Sequence, residues 1–448
     1  MKKQYIYLLV LLVFIATAGF VVLKYQHQRS AEKKAAYVLL PRIGTTANNA
    51  EWIAAKKNTD NLIAKLRKNP ADNKSAIALA NAYIIESRIS GNISYYDKAA
   101  MKVVEGVLEN DPENIEGLML KSLLQLSEHH FSDGLATAQQ AVSINPNNSF
   151  VYGLLVDANV EMGYYDSAVA AADKMITARP DLRSYSRIAY LREINGDYTG
   201  ASEAMQRAVN SGTPSQEATE WCRVQLGKLY ESMGEKDKAT YQYQLSLAAR
   251  PDYANALAGL GRIAADDNKS DSAIYFFEKA AALSGDLGIK GSLATAYYAA
   301  GKKDKAKSLN ESVINEMNKN ATASAADPTI GHYSDKELAY AYLQANDNDK
   351  ALEHALAEYN RRPKNIDVNE TMAWVYYKRK EFDKAVPYMN AAMVTKNRSP
   401  LFLCTGGLIY AKTGDKQKAK AMLSAALKHK PVLPEDVRTE SEQALNEM

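Results

Sequence analysis

The sequence has little cysteine, with only Cys222 and Cys404 among its 448 residues. A disulfide-stabilised scaffold needs several cysteine pairs, so the sequence excludes that class of protein. It also lacks Cys-x-x-Cys, Gly-x-Ser-x-Gly and P-loop motifs, and no pair of acidic residues stands out by its spacing as an acid–base pair. We therefore predict that the protein is not an enzyme and needs no cofactor.

Histidine is also scarce, at six residues, and the one adjacent pair is His129-His130. Adjacent side chains on a helix point about 100° apart, so this pair does not form the i, i+4 arrangement that holds zinc. The acidic runs at 266–268 and 346–349 lack the glycine and the distant glutamate of a calcium loop, and we predict that they are turns. The sequence thus predicts no metal site.

Charge of one sign is not in large excess, because 55 Lys and Arg residues oppose 52 Asp and Glu residues, for a net charge of +3. A nucleic-acid-binding protein is usually strongly basic. We therefore expect no nucleic acid as the main partner.

Charge is absent altogether from residues 5–23, a run of 19 largely apolar residues behind Lys2 and Lys3. As a helix this run would be about 28 Å long, close to the bilayer core. We predict that residues 1–24 are a membrane anchor or a signal segment. The alternative is a cleaved signal peptide ending near residues 16–18, Ala-Thr-Ala. An apolar run that continues to residue 23 favours the anchor, and we expect the rest of the chain in the bacterial periplasm.

A fixed period of 34 residues is present in much of the chain. It separates Pro112, Pro146, Pro180 and Pro214 in succession, and likewise Ala351, Ala385 and Ala419. Each proline follows an apolar stripe with helical spacing, and proline ends a helix because it lacks an N–H and clashes with the preceding turn. The period predicts helix pairs that stack into a solenoid.

Residues 226–251, LGKLYESMGEKDKATYQYQLSLAARP, contain this unit in its clearest form. Two short amphipathic helices surround Gly234, and the small residues Gly227 and Ala239 allow close helix approach. The chain resembles the tetratricopeptide repeat (TPR) family over most of its length. The resemblance implies an all-α, right-handed superhelical solenoid of about ten TPR-like helix pairs, which binds a protein or peptide partner in its concave groove.

The spacing of the units divides the chain further. We predict a juxtamembrane linker at 25–46, an N-terminal TPR block at 47–319, an insertion or hinge at 320–333, a C-terminal TPR block at 334–431 and a C-terminal cap or tail at 432–448. The segment SRISGNIS, 87–94, is eight residues more than one period requires. We expect it to enlarge the turn between two helices.

The resemblance also implies which side chains line the groove, because the first helix of each unit provides its surface. The predicted partner-binding residues are Trp221, Lys228, Arg262, Tyr340, Trp374, Tyr377 and Lys378. An aromatic pair beside Lys378 suits an acidic or apolar segment. The alternative for Trp374 is that it packs against the neighbouring unit.

We therefore expect a scaffold or adaptor for protein partners at the cell envelope. Two alternatives stay open: a structural component of an envelope assembly or secretion complex, and an accessory that recruits substrates to a separate enzyme. The sequence leaves the oligomeric state open.

Overall fold

A computed structural model of the chain describes residues 37–326, 332–428 and 435–448. These residues form a short 3-10 helix, Gly44–Thr46, and 22 α-helices, and they contain no β-strand. In chain order, α1 to α22 are Ala50–Lys68, Asn73–Ser90, Ile93–Asn110, Ile115–Ser127, Phe131–Ile144, Ser149–Glu161, Tyr165–Ala178, Leu182–Ile194, Tyr198–Ser211, Glu217–Ser232, Lys236–Ala249, Ala254–Asp266, Ser270–Leu283, Leu287–Ala299, Lys303–Ala326, Asp335–Gln344, Asn348–Arg361, Ile366–Lys378, Phe382–Ala392, Pro400–Lys412, Lys416–Ala426 and Glu435–Asn446.

Helices α2 to α21 form ten consecutive pairs, which we number 1 to 10 from α2/α3 to α20/α21. Helix α1 precedes them and α22 follows them. The predicted all-helical, TPR-like solenoid is confirmed. The helices of a pair approach closely at small residues: a Cβ added to Gly227 would lie 2.5 Å from the Tyr243 ring, and Ala239 is fully buried.

The turn inside each pair contains one residue with positive φ, a backbone conformation that glycine adopts most readily. These ten residues are Gly91, His129, Gly163, Gly196, Gly234, Asn268, Gly301, Asn346, Lys380 and Gly414. The acidic runs at 266–268 and 346–349 are two of these turns, where asparagine supplies the left-handed residue. Each turn is tight, so the two helices of a pair lie side by side.

Pair 1 departs from the expected turn. Its helices Asn73–Ser90 and Ile93–Asn110 have 18 residues each, and only Gly91 and Asn92 separate them. The prediction that 87–94 enlarges a loop is wrong. The surplus residues lengthen both helices because they continue the amphipathic pattern, with Glu86 and Ser87 on one side and Tyr96 and Asp97 on the other all buried.

The predicted linker at 25–46 is packed against pair 1 in its described part, residues 37–46. Leu39 is buried, and the backbone N–H of Leu40 donates to the Tyr96 hydroxyl at 2.8 Å. The Arg42 guanidinium donates to the Glu86 carboxylate at 3.0 Å. This segment is therefore part of the fold rather than a free spacer. Residues 25–36 lie outside the described part of the chain.

The predicted hinge at 320–333 also differs from the structure at its start, because α15 continues through residue 326. The segment 320–326, NATASAA, contains four alanines, and alanine has the highest helix propensity. Residues 327–331 lie outside the described part, and His332 and Tyr333 contact pair 2.

The pairs meet again after about one turn of the solenoid. The turn inside each of pairs 1 to 4 contacts the loop before the pair that lies six pairs further along the chain. The contacts join Gly91 to Gly285, His129 to Tyr333, Gly163 to Lys364 and Gly196 to Lys396. We call this line of contacts the seam. It joins residues about 200 positions apart, such as Tyr165 and Ile366, which are 201 apart.

The predicted membrane segment, 1–24, lies outside the described residues. Within the described ranges, none of the helices has the length and hydropathy needed to cross a membrane.

Candidate protein-binding face

Five residues occupy the same position on the first helices of pairs 4, 5, 6, 8 and 9. Each directly follows a buried alanine or glycine of its helix. They are Tyr190, Lys228, Arg262, Tyr340 and Trp374. We call the side of the solenoid that they share the inner face. Four of them are residues predicted to bind a partner, and the fifth, Tyr190, belongs to the same series.

Arg262 is held by its neighbours on this face. Its guanidinium donates to both carboxylate oxygens of Glu231, at 3.1 and 2.9 Å, and to the Tyr243 hydroxyl at 3.1 Å. Burial by itself would lower the pKa of Arg262, but the Glu231 carboxylate outweighs it and raises that pKa. The guanidinium therefore stays charged in a fixed orientation and is a preformed part of the wall.

Tyr340 is similarly fixed. Its hydroxyl donates to the Glu370 carboxylate at 2.9 Å and lies 3.5 Å from the Thr371 hydroxyl. Desolvation raises the pKa of Glu370, although the bond from Tyr340 opposes this shift. The first helices of pairs 8 and 9 are thus tied together across the inner face.

The first helices of pairs 4 and 5 carry polar groups without such ties. The Tyr190 hydroxyl, the Glu193 carboxylate, the Trp221 indole N–H and the Lys228 ammonium make no hydrogen bond or ion pair with the residues that the structure describes. Trp221 packs its ring partly against the core of pair 4. Four free polar groups on two adjacent helices make this the part of the inner face with most capacity to bind.

Tyr190 and Lys228 are exposed and Glu193 is half-buried, and yet all three are partly desolvated. Tyr190 is 39% exposed, but the surrounding protein raises its pKa well above the usual value, with the Asp367 carboxylate adding to the shift. Desolvation raises the pKa of Glu193 to about 7 and, with the nearby Arg262 charge, lowers the pKa of Lys228. The exposure and the pKa shifts agree if these side chains contact water but have protein on several sides.

Asp367 explains part of this enclosure. It lies on α18, in pair 9, yet its charge acts on Tyr190 and Glu193 in pair 4. Pairs 4 and 9 are brought together only because the solenoid returns to itself at the seam. The charges on the first helices of pairs 4 and 9 are therefore close enough to act on one another.

Trp374 and Tyr377 are buried, in keeping with the alternative that Trp374 packs against its neighbours, whereas Lys378 is half-buried. Their role in partner binding stays a prediction. Trp374 is 8% exposed and Tyr377 is 4% exposed. The C-terminal helix α22 contacts two of them through Glu440: the Tyr377 hydroxyl donates to the Glu440 carboxylate at 2.7 Å, and the Lys378 ammonium lies 3.7 Å from the same carboxylate. Sequence reasoning placed these side chains on the first helix of pair 9 but did not anticipate that α22 would contact Tyr377 and Lys378.

The seam was also missed, although the sequence carries a signal for it. The first residue of the second helix is Ile93, Phe131, Tyr165 and Tyr198 in pairs 1 to 4, where the turn meets the seam. In pairs 5 to 10 it is Lys236, Ser270, Lys303, Asn348, Phe382 and Lys416. The change from large apolar to mainly polar residues follows the end of the seam, with Phe382 as the exception because it contacts Tyr377.

The centre of the seam is a set of buried polar contacts between pair 3 and pair 9. The Arg362 guanidinium donates to the carboxylates of Glu161 and Glu358. The Asn365 side-chain amide donates to the backbone oxygen of Glu161 at 3.0 Å. The backbone N–H of Ile366 donates to the Tyr165 hydroxyl at 2.8 Å. These contacts hold two turns of the solenoid in register.

The histidines that the sequence analysis examined also lie at the seam. His129 is bonded through Nδ1 to the Tyr333 backbone oxygen at 2.8 Å, and its ring is 4.2 Å from that of His332. Desolvation lowers the pKa of both His129 and His332 to about 4. No group of three or more metal-binding side chains is found in the ranges that the structure describes. His129 and His332 thus pack as neutral rings.

Comparison with known proteins locates the repeats. Residues 224–287 match a family model described as tetratricopeptide repeat, and residues 403–432 match a second model with the same description. These segments coincide with most of pairs 5 and 6 and with pair 10.

Among curated proteins, the peroxisomal targeting signal receptor of Komagataella phaffii is 24% identical over 198 residues, which cover 43% of this chain and 34% of the receptor. Superkiller protein 3 of Saccharomyces cerevisiae is 32% identical over 88 residues, covering 19% of this chain and 6% of that protein. The chain thus spans about a third of the length of the receptors it matches. Among solved structures, yeast Tom70 has 13% identity and a TM-score of 0.37, with 89% of this chain and 94% of Tom70 covered.

Proposed function

We propose that the protein is a scaffold or adaptor that binds a protein or peptide segment on its inner face. The observation that carries this proposal is the cluster of polar groups of Tyr190, Glu193, Trp221 and Lys228, exposed or half-buried on the inner face and without the ties that fix Arg262 and Tyr340. The repeat matches at 224–287 and 403–432 support it, because TPR arrays bind proteins. The peroxisomal relatives, named as receptors for a targeting signal, are in keeping with a peptide partner.

The chemistry of these groups favours a peptide over a small apolar ligand. The free groups include a carboxylate, an ammonium, a phenol and an indole N–H, which together accept and donate hydrogen bonds. A buried polar group that loses water without a new partner is destabilising by about 1–3 kcal/mol. A ligand on this face must therefore offer both donors and acceptors, as an extended peptide backbone does.

The place of action belongs to the same proposal. Residues 1–24 would tether the solenoid to a bacterial membrane, with the array in the periplasm or, if the segment is cleaved, released there. The uncharged run at 5–23 supports this placement. Alkaline extraction of membranes would leave a tethered protein in the pellet, and an externally added protease would digest a periplasmic array only after the outer membrane is opened.

Site-specific photocrosslinking in native cells tests the inner face. A photoactivatable amino acid is placed at Tyr190 or Lys228, and at Tyr241 as the control, which is 57% exposed on a second helix. We expect the same protein adduct from the first two positions and none from Tyr241. Two double variants then separate loss of binding from loss of stability. Tyr190→Ala/Lys228→Ala should lose the partner found in the adduct, and the control Lys238→Ala/Tyr241→Ala should keep it.

Adducts at Tyr241 but not at Tyr190 or Lys228 would contradict the proposal and move the binding surface to the second helices. Equal melting temperatures of the two double variants are the control that keeps this comparison valid.

A further inference from the structure

The C-terminal helix α22 packs on the two helices of pair 10 and reaches, through Glu440, the positions of pair 9 that are free in pairs 4 and 5. Trp374 is equivalent to Tyr190 and Lys228, and Tyr377, three positions later, is equivalent to Glu193. The groups that would meet a partner in pairs 4 and 5 are therefore met in pair 9 by a segment of the same chain.

The contacts of α22 define what this surface recognises. Trp374 and Tyr377 stack with ring centroids 5.1 Å apart, and the Lys378 ammonium lies 4.4 Å from the centre of the Trp374 ring. Above them, the Glu440 carboxylate accepts a hydrogen bond from Tyr377 and faces Lys378. The surface thus combines an aromatic platform with one positive charge.

The apolar side of α22 completes the match. Val437 is 4% exposed, and Ala444, Leu445 and Met448 pack against the same core as Trp374. Spacings of three and four residues place such side chains on one face of a helix. The opposite side of the helix is polar, so the segment is an amphipathic helix with acidic character.

The fit of α22 contains a defect. Ser441 is fully buried, and its hydroxyl has no hydrogen-bond partner among the described residues apart from an electrostatic contact with the Cys404 thiol, which is a weak acceptor. A buried hydroxyl without a good partner weakens docking. A helix of 12 residues is also marginal in water by itself. A helix with a small apolar residue in place of Ser441 would fit this surface better.

We infer that the surface of Trp374, Tyr377 and Lys378 is a docking site for an acidic amphipathic helix of a partner protein, and that α22 is a built-in competitor for it. This inference rests on the proposed protein-binding function and names one partner class. The resident helix holds the site at the high effective concentration of an intramolecular ligand. A partner helix must outcompete it and would thereby release α22.

The chain contains its own probe for the state of α22. Cys404 is fully buried in the core that α22 completes, and Cys222, in pair 5, is fully buried elsewhere. Release of α22 should expose Cys404 to a thiol reagent and leave Cys222 protected. The rate of thiol modification therefore reports release, and Cys222→Ser and Cys404→Ser variants assign each signal.

The experiment uses the full chain and a labelled synthetic peptide with the sequence of residues 435–448. Val437→Asp in the full chain should release α22, since it places a charge at a buried contact. In this variant we expect the thiol reagent to modify Cys404 at least about tenfold faster than in the wild type. We also expect the variant to bind the peptide at least about tenfold more tightly. The added peptide should protect Cys404 again. Ser441→Ala should act in the opposite direction and slow the modification.

A charge exchange tests the specificity. Lys378→Glu, combined with Val437→Asp, should lower the affinity of the full chain for the peptide. A peptide carrying Glu440→Lys should bind this double variant with the original affinity. Equal affinity of the peptide for the wild type and Val437→Asp, or indifference to Lys378→Glu, would overturn the inference. So would a concentration-dependent dimer that exchanges α22 between copies, because the occupant would then be a second copy of this chain. Crosslinks at Tyr190 test the proposed function separately, since that site does not involve α22.

Discussion

The turns inside pairs 1 to 4 and those inside pairs 5 to 10 have nearly the same backbone but opposite surroundings. A Cβ on Gly163 or Gly196 would lie 2.3 Å from a backbone oxygen of the next turn of the solenoid, whereas Gly301 and Gly414 have nothing within 4 Å. The residue two positions after the glycine differs accordingly: it is Tyr165 at the seam and Lys303 in pair 7. We call the side of the solenoid with the turns of pairs 5 to 10 the free edge. One repeat is thus adapted to two different environments by a few side chains.

This difference teaches how the solenoid departs from a simple linear array. In a linear array each repeat contacts only its neighbours, so stability is close to a sum of local terms. Here the seam ties pairs 1 to 4 to pairs 7 to 10, about 200 residues away. We expect the two ends to unfold together, and we expect the concave shape of the inner face to depend on the seam.

The largest effect should come from Arg362→Met. Arg362 is 3% exposed and bridges Glu161 and Glu358 across the seam, so its loss leaves Glu161 without its cation, while Glu358 keeps Arg361. We expect a loss of about 3–5 kcal/mol in the free energy of unfolding, measured in urea at pH 7. The matched variant Arg379→Met removes ion pairs at the free edge, where Asp349 is largely exposed, and should cost at most about 1 kcal/mol. Equal losses would remove the distinction between the two edges.

The next effect should come from Gly163→Ala, compared with Gly301→Ala. Both glycines have positive φ, 77° and 74°, so both variants carry the strain of a left-handed alanine, about 1 kcal/mol. Only the Gly163 variant must also push away the Lys364 backbone. We expect a total loss of about 3 kcal/mol for Gly163→Ala and about 1 kcal/mol for Gly301→Ala, read from urea midpoints. A loss for Gly163→Ala no larger than that for Gly301→Ala would show that the Lys364 backbone moves aside at little cost in stability.

Acid should weaken the seam through its histidines. The pKa values of His129 and His332 are about 4 in the folded protein, below the usual 6.5, so the unfolded chain binds protons more readily. Their contribution is full above about pH 6.5 and is lost as the pH falls toward 4. Besides each other, these rings face the charged or titratable groups of His130, Lys336, Glu337, Arg361 and Arg362.

Between pH 7.5 and 5.5 we expect a loss on the order of 1 kcal/mol per histidine in the free energy of unfolding. The double variant His129→Asn/His332→Asn should be less stable at pH 7.5 but should change less with pH. A pH dependence as steep as that of the wild type would rule out these two rings as its source.

The smallest effect should come from Tyr165→Phe. The variant removes the acceptor for the Ile366 N–H at the seam, and we expect a loss of about 1 kcal/mol. Tyr298→Phe is the control, because Tyr298 is 65% exposed at a position without seam contacts, and it should be within about 0.5 kcal/mol of the wild type. Hydrogen exchange of the Ile366 amide is the sharper measurement, since it should accelerate only in Tyr165→Phe.

Much of the fold could be predicted because the repeat is local. The 34-residue period, the small residues at Gly227 and Ala239 and the turn at Gly234 are all contained within one unit, and one unit specifies one helix pair. The positions of Lys228, Arg262 and Tyr340 on the inner face follow from the same register. The sequence was less informative where extra residues occur, since a surplus at 87–94 can lengthen a loop or two helices, and the pattern of buried residues decides between them.

The contacts between distant units could not be predicted from the period. A small change in the angle between successive pairs decides whether the solenoid meets itself after six pairs or passes at a distance, and no single unit contains that angle. The contact of Tyr377 and Lys378 with Glu440 of α22 is another such contact, since it joins pair 9 to the helix that follows pair 10. Phe131 and Tyr165 did indicate the seam, because the 34-residue period does not require a large apolar residue at the start of the second helix.

The amino-acid sequence by itself determined the helix pair, its tight turn and the number of pairs, because each depends on interactions within about 34 residues. Only the tertiary structure decided which of these equivalent surfaces are free to bind. The charge of Asp367 in pair 9 reaches Tyr190 in pair 4, and Glu440 of α22 binds Tyr377 and contacts Lys378. The physical reason is that burial and electrostatic environment sum contributions from residues far apart in the chain, which the local pattern of a repeat does not contain.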